Sequence, residues 1–163
     1  MSGRDGVTRL TLVALLVLSS LTSSLAAQAG RRILFVPLDD RPSSLQFPVR
    51  IGAIGGVSVL TPPRGLLGRF TEPGRPEAII AWLRRQPLGD MDAVIVSLDM
   101  LAYGGLVASR VGTSARLKMA ERRLGVLREL RRRAPHLPIL ASSAIMRLAP
   151  TADGTNEAYR VEL

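Results

Sequence analysis

The chain has 163 residues, 47% of them apolar, no cysteine and a formal net charge of +9. This length and apolar content predict one folded domain or part of one, and they exclude a disordered chain. The absence of cysteine excludes disulfide bonds, thiol nucleophiles and zinc–thiolate sites, and the single histidine, His136, excludes a histidine-rich metal site.

The first 29 residues follow the order of a secretory signal peptide. Arg4 and Arg9 precede an apolar run over 10–18, and an Ala-Gln-Ala cleavage site ends at Ala29. The apolar run is too short to cross a membrane comfortably, so membrane attachment is expected only through an uncleaved signal segment. We predict a signal peptide over 1–29 and a secreted, periplasmic or cell-envelope protein.

After the signal segment, the pattern predicts a strand, a helix and a second strand. The apolar residues of 32–37 are typical of a buried strand. Pro42 is placed to open a helix over 42–54, which two glycines end, although Pro48 argues against one unbroken helix. Residues 57–60 form the second predicted strand.

The same alternation continues through the rest of the chain. A loop rich in glycine and proline leads to a predicted helix over 77–85. Residues 93–98 are largely apolar and predict a third strand that is buried on both faces. A helix over 114–134 and a strand over 137–144 follow.

The helix over 114–134 carries eight basic residues and two acidic ones. Its apolar residues recur every three or four positions and predict one buried face: Leu117, Ala120, Leu124, Leu127, Leu130 and Ala134. The charges mostly fill the other face, so a solvated helix surface explains them better than a polyanion site. Since no aromatic residue is interleaved to stack on bases, we predict no nucleic-acid partner.

Strand–helix alternation predicts an α/β fold with a mostly parallel sheet and βαβ crossovers. An open doubly wound sheet is the first interpretation, and the first half of a β/α barrel is the alternative. Residues 156–160 resemble the first turn of another helix, and the chain stops soon after them. We therefore expect 30–163 to be the N-terminal portion of an α/β domain that is truncated at its C-terminus.

Polar residues cluster where the predicted strands end. Ligands of parallel α/β sheets bind beyond the carboxyl ends of the strands. Asp39 and Asp99 are the candidate catalytic residues, because carboxylates from two strands can act as general acid and base or hold Mg²⁺ or Ca²⁺. The candidate substrate-binding residues, which suit an anionic or sugar-like ligand, are Asp40, Arg41, Tyr103, Arg110 and Arg147.

Structural roles for the same residues stay open. An aspartate at a strand end commonly caps the next helix or turn, and neighbouring aspartate and arginine can simply neutralise each other. The chain has neither a nucleotide-binding glycine motif nor a G-x-S-x-G elbow. The cofactor is therefore unknown, with Mg²⁺ or Ca²⁺ as the candidates, and a Ser-His-Asp hydrolase is disfavoured.

Four blocks of the sequence carry a family resemblance. They are 33–42 (ILFVPLDDRP), 60–68 (LTPPRGLLG), 97–110 (SLDMLAYGGLVASR) and 145–147 (IMR). Together they resemble a bacterial family called domain of unknown function 4127, over residues 31–155. Members of that family are longer than this chain, which agrees with a truncated domain. The resemblance implies no catalytic role for any residue, because the family's activity is not established.

The leading interpretation is a hydrolase of the cell envelope that acts on a sugar-like or anionic substrate through its paired aspartates. A non-catalytic binding module at the cell surface is the alternative from another class. An inactive truncated product is the third. Neither the oligomeric state nor the identity of the substrate follows from the sequence.

Overall fold

A computed structural model describes residues 30–69, 72–110 and 114–145. The predicted signal peptide, the predicted last helix and Arg147 lie outside the described residues. The strands are β1 (Arg32–Val36), β2 (Ser58–Leu60), β3 (Ala93–Ser97) and β4 (Ile139–Ser142). The helices are α1 (Gln46–Ile54), α2 (Pro76–Arg84), α3 (Leu98–Tyr103), α4 (Leu106–Ser109) and α5 (Ser114–Arg133). Short 3-10 turns cover Arg64–Leu66 and Leu88–Asp90.

The four strands form one parallel sheet in the order β2-β1-β3-β4. β1 lies in the centre and pairs with β2 and β3. This confirms the predicted α/β fold with a parallel sheet and crossover connections. Consecutive strands are neighbours in a β/α barrel, whereas β2 and β3 lie on opposite sides of β1, so the order favours the open doubly wound sheet.

The core lies against one face of the two central strands. Leu34, Val36, Val94 and Val96 alternate along β1 and β3 and are fully buried. These four side chains belong to a core cluster made mainly of leucine, isoleucine and valine. Helices α2, α3 and α5 contact one another around this cluster. On the opposite face of β3, Ala93 and Ile95 are only half-buried. The predicted burial of this strand on both faces is therefore confirmed for one face.

Helix α1 begins later than predicted. Residues 42–45 form a turn, and Pro48 is the third residue of the helix, where the backbone N–H that proline lacks would have no intrahelical partner. No residue of α1 is buried. Phe47, Ile51 and Ile54 recur at helical spacing and are exposed by 53%, 67% and 88%.

Helices α3 and α4 were not predicted. The hydroxyl of Ser97, the last residue of β3, accepts a hydrogen bond from the Met100 backbone N–H at 3.4 Å and caps α3. The helix ends at Gly104, which has a left-handed backbone with φ of 94°. The strand therefore ends one residue earlier than predicted, and Asp99 lies in the first turn of a helix.

Helix α5 fully buries only part of the predicted apolar face. Ala120 and Leu130 are buried, whereas Leu117 was expected to be buried and is 56% exposed. Several arginines of the helix bind the chain itself: Arg123 donates to the Ala102 carbonyl at 2.7 Å and to Glu77 at 2.8 Å. Part of the positive charge of α5 therefore stabilises the fold through hydrogen bonds and ion pairs within the chain. The absence of a nucleic-acid partner stays a prediction.

Within residues 30–69, 72–110 and 114–145, no helix has the length and apolar character needed to cross a bilayer.

The packing predicts a large contrast between two apolar truncations. Leu83→Ala removes a fully buried side chain of α2 and should lower the free energy of unfolding by about 2–5 kcal/mol, through lost burial and a residual cavity. Ile51→Ala removes an exposed side chain and should change it by about 0.5 kcal/mol or less. Urea unfolding followed by circular dichroism measures both, and equal losses would contradict the described core.

Candidate functional site

The candidate site lies at the carboxyl ends of β1 and β3. From β1 the chain crosses to β2 on one side, and it then returns to β3 on the other side of β1. This reversal is a topological switch point, where an open parallel sheet leaves a crevice for ligands. Asp39 and Asp40 follow β1, and Asp99 follows β3 directly. The fold therefore brings the two predicted catalytic segments to adjacent strand ends.

Glycines bring the loops of the site close together. A Cβ atom on Gly105 would lie 3.1 Å from the Leu38 carbonyl oxygen and 4.0 Å from the Asp39 Cβ. Gly105 has a φ of 119°, which side chains rarely permit. The end of α3 therefore packs against the loop after β1, which carries Asp39.

Asp39 is held by its neighbour Arg41. The Arg41 Nε and Nη2 atoms donate to Asp39 Oδ2 at 2.9 and 2.6 Å, and the Arg41 backbone N–H donates to Oδ1 at 3.2 Å. Burial would raise the pKa of Asp39, but these bonds and one from Ser44 outweigh it and hold the pKa below its ordinary value of 3.8. Asp39 is therefore ionised at neutral pH. The predicted neutralisation between aspartate and arginine neighbours is observed here.

Asp40 faces a different arginine. Its Oδ2 lies 3.5 Å from the Nη2 atom of Arg64, which belongs to the 3-10 turn after β2. The Arg64 side chain is 64% exposed and that of Asp40 is 13% exposed. The two predicted carboxylates after β1 therefore have separate partners.

Asp99 is buried and joins two segments of the chain. It is 6% exposed, and its Oδ2 accepts a hydrogen bond from the Ala144 backbone N–H at 2.8 Å. Ala144 follows β4, so Asp99 connects the carboxyl ends of β3 and β4. This bond fixes the orientation of one carboxyl oxygen.

The remaining predicted substrate-binding residues are spread more widely. The ring of Tyr103, at the end of α3, lies 5.6 Å from the Arg116 guanidinium carbon, a cation–π distance. Arg110 follows α4 and is half-buried. Arg147 lies outside the residues that the structure describes. Their contacts with a substrate stay predictions.

Sequence reasoning missed a group of charged residues beside Asp40. A cleft of about 580 Å³ is lined by Asp40, Arg64, Arg69, Glu72 and Arg75, together with glycine and proline backbone. We call it the arginine cleft. The signal for it was a loop with several arginines between glycines and prolines, a composition that marks a turn rather than a site.

Whether the site could bind a metal ion depends on how its acidic side chains are grouped. Among the described residues, no three histidine or acidic side chains converge in a way that could hold a metal ion. Asp39 and Asp99, the residues proposed to hold Mg²⁺ or Ca²⁺, each accept hydrogen bonds from protein donors. Metal binding by this pair stays a prediction.

These features define an α/β protein with an open parallel sheet and a polar, carboxylate-bearing candidate site at its switch point. The chain belongs to the family described as "Protein of unknown function (DUF4127)", which matches residues 33–163. The match confirms the family resemblance of the sequence. The comparison with curated proteins and the comparison with solved structures found no match.

The bonds to Asp39 predict a pH-dependent stability difference. Asp39→Asn should lower the free energy of unfolding at pH 7 by about 1–3 kcal/mol, because charge-assisted bonds from Arg41 are lost. Since the folded protein holds the pKa of Asp39 below 3.8, the stabilisation is present above pH 3.8 and is lost as the pH falls through the lower, folded value. The difference between wild type and variant should therefore shrink below pH 4.

Urea unfolding at pH 7 and pH 3 measures this difference. The control is Asp90→Asn, because Asp90 is exposed and its contact with Arg32 is long, at 3.6 Å. That variant should change the free energy of unfolding by about 0.5 kcal/mol or less at either pH. If the difference in unfolding free energy between wild type and Asp39→Asn grew on acidification, the assigned bonds would be contradicted.

Proposed function

We propose that this protein is a hydrolase that acts on a small sugar-like or anionic substrate at the switch point of its sheet. Asp39 and Asp99 are its paired carboxyl groups. The observation that carries the proposal is the parallel pairing of β1 with β3, since it sets the loop that bears Asp39 beside the helix that bears Asp99, at the edge where such sheets bind ligands. Membership of the family of unknown function does not depend on this proposal.

Asp39 suits the role of general base. A base must be ionised, as Asp39 is at neutral pH, but the bonds that lower its pKa also weaken it as a base for as long as they are made. The Arg41 fork, the Arg41 backbone and Ser44 supply four donors, about as many as a carboxylate accepts. A substrate must therefore displace one of them before Asp39 can bind a water molecule.

Arg41 is the donor that a substrate can displace. Its side chain is 47% exposed, so it can turn towards an anionic group that enters from solvent. That movement would exchange an Asp39–Arg41 contact for a substrate–Arg41 contact and leave Asp39 Oδ2 for the attacking water. In this mechanism the anionic part of the substrate activates the base.

Asp99 supplies the second carboxyl group. The Ala144 N–H holds its Oδ2, so we assign Oδ1 to the substrate. The side chain is almost fully buried, and only a group that enters the crevice can reach it.

The proposal also places this reaction outside the cytoplasm, in keeping with the signal-like pattern of 1–29.

The second candidate is a binding module without catalysis. It is favoured by the same hydrogen bonds, because Asp39 and Asp99 both have partners that suit a structural role. In that case the crevice holds a ligand and the two carboxyl groups only shape it.

Turnover of a substrate panel separates the two candidates. We expect the purified protein to hydrolyse at least one member of a set of 4-nitrophenyl glycosides, phosphate esters and carboxylate esters. Asp39→Asn and Asp99→Asn should each lower the rate by about 100-fold or more, as expected for loss of a general acid or base. Because kcat/KM reports the free enzyme, in which Arg41 holds the pKa of Asp39 below 3.8, wild-type kcat/KM should fall through loss of this base only below pH 3.8.

Asp92→Asn is the matched control. Asp92 also accepts a backbone hydrogen bond, from Arg32 at 2.6 Å, but it lies before β3 at the opposite edge of the sheet. Its variant should keep the wild-type rate while showing a comparable loss of stability. Unchanged turnover in both site variants would overturn the catalytic proposal, and saturable ligand binding without turnover would establish the second candidate.

A further inference from the structure

The arginine cleft lies beside β1 on the β2 side of the sheet. Asp40 comes from the loop after β1, and Arg64 comes from the 3-10 turn after β2. β3 and Asp99 lie on the other side of β1. A ligand in the cleft is therefore next to the switch point and reaches it across the loop that carries Asp39.

Backbone contacts make the cleft a preformed shape. A Cβ atom on Gly68, which has a φ of 74°, would lie 2.4 Å from the Glu72 carbonyl oxygen and 2.6 Å from the Gly74 nitrogen. The Gly74 N–H donates to the Gly104 carbonyl at 2.8 Å, which ties the loop to the end of α3. These contacts hold the backbone at Gly68 and Gly74 in place, which lowers the ordering cost when a ligand binds and favours affinity.

The charges of the cleft favour an anion. Three arginines and two acids line it, so the formal charge of these five residues is +3 − 2 = +1. The contact between Arg64 and Asp40 is long, at 3.5 Å, and Arg64 is mostly exposed. An oxyanion that offered two oxygens to the Arg64 fork would make a closer contact than Asp40 does.

We propose that the arginine cleft binds an oxyanion, a carboxylate or phosphate group of the substrate, through Arg64 and Arg69. The Asp40 carboxylate competes with this oxyanion for the Arg64 guanidinium. The proposal rests on the proposed function for the identity of the substrate, since the oxyanion in the cleft is a second anionic group, distinct from the one that binds Arg41, in a molecule that reaches Asp39. Binding in the cleft itself is independent of turnover.

The competitor role predicts changes of opposite sign. Arg64→Ala and Arg69→Ala should each weaken oxyanion binding about tenfold, because each removes charge-assisted hydrogen bonds. Asp40→Asn should strengthen it several-fold, because it removes the negative charge and leaves Arg64 facing only a neutral, weaker amide acceptor. Arg64→Lys should fall between wild type and Arg64→Ala, since it keeps the charge and loses the fork.

Isothermal titration calorimetry of the full chain with inorganic phosphate and with citrate tests the proposal. The two probes separate a phosphate site from a carboxylate site, and saturable binding of either supports the cleft. The matched control is Arg85→Ala, which removes the same charge at the opposite end of α2 from Arg75. It should leave binding unchanged, and circular dichroism confirms that each variant is folded.

Three results would overturn the proposal. They are no saturable binding of either probe, an equal loss in Arg64→Ala and Arg85→Ala, or weaker binding in Asp40→Asn. Asp39→Asn keeps the failures distinguishable. If Asp39→Asn loses turnover and the cleft binds neither probe, the proposed hydrolase activity is supported and the oxyanion subsite is rejected. If the cleft binds a probe and the protein turns over no substrate, the subsite is supported and the hydrolase activity is rejected.

Discussion

The parallel pairing of β1 with β3 is the contact on which the candidate site depends. Val36 lies opposite Val96 at the carboxyl ends of the two strands, and both side chains are fully buried. Removing such side chains from water is the main favourable contribution to folding, so the register is strongly fixed on the buried face. Because Ser97 both ends β3 and caps α3, Asp99 follows this register without an intervening loop.

Close backbone approach is the second constraint. Three segments meet at the carboxyl edge: the loop after β1, the loop around Gly74 and the end of α3. A Cβ atom on Gly104 would lie 2.8 Å from the Gly74 carbonyl oxygen, which is closer than real side chains come. The close packing of these segments and the shape of the arginine cleft therefore depend on positions without side chains.

Arginine has two different uses in this fold. On α5, Arg131 donates to the carbonyls of Pro135 and Leu137, and Arg133 donates to that of Gln86. These bonds satisfy backbone acceptors after helix ends, a task that suits a side chain with five donors. At the carboxyl edge, Arg41 and Arg64 instead face carboxylates. The net charge of +9 thus includes arginines that hold the fold together and does not identify a partner.

The amino-acid sequence by itself determined the α/β class, the approximate positions of the four strands and the family. Those features depend on local hydrophobic pattern and short motifs. It left open whether neighbouring aspartate and arginine residues neutralise each other, which the Asp39–Arg41 bonds show. Only the tertiary structure decided the strand order, the helix that carries Asp99, its bond to Ala144 and the arginine cleft. Asp99 and Ala144 are 45 positions apart, and Asp40 and Arg64 are 24 apart. Such contacts arise from the packing of the whole sheet, because the pattern of one strand records which face is buried and not which strand lies beside it.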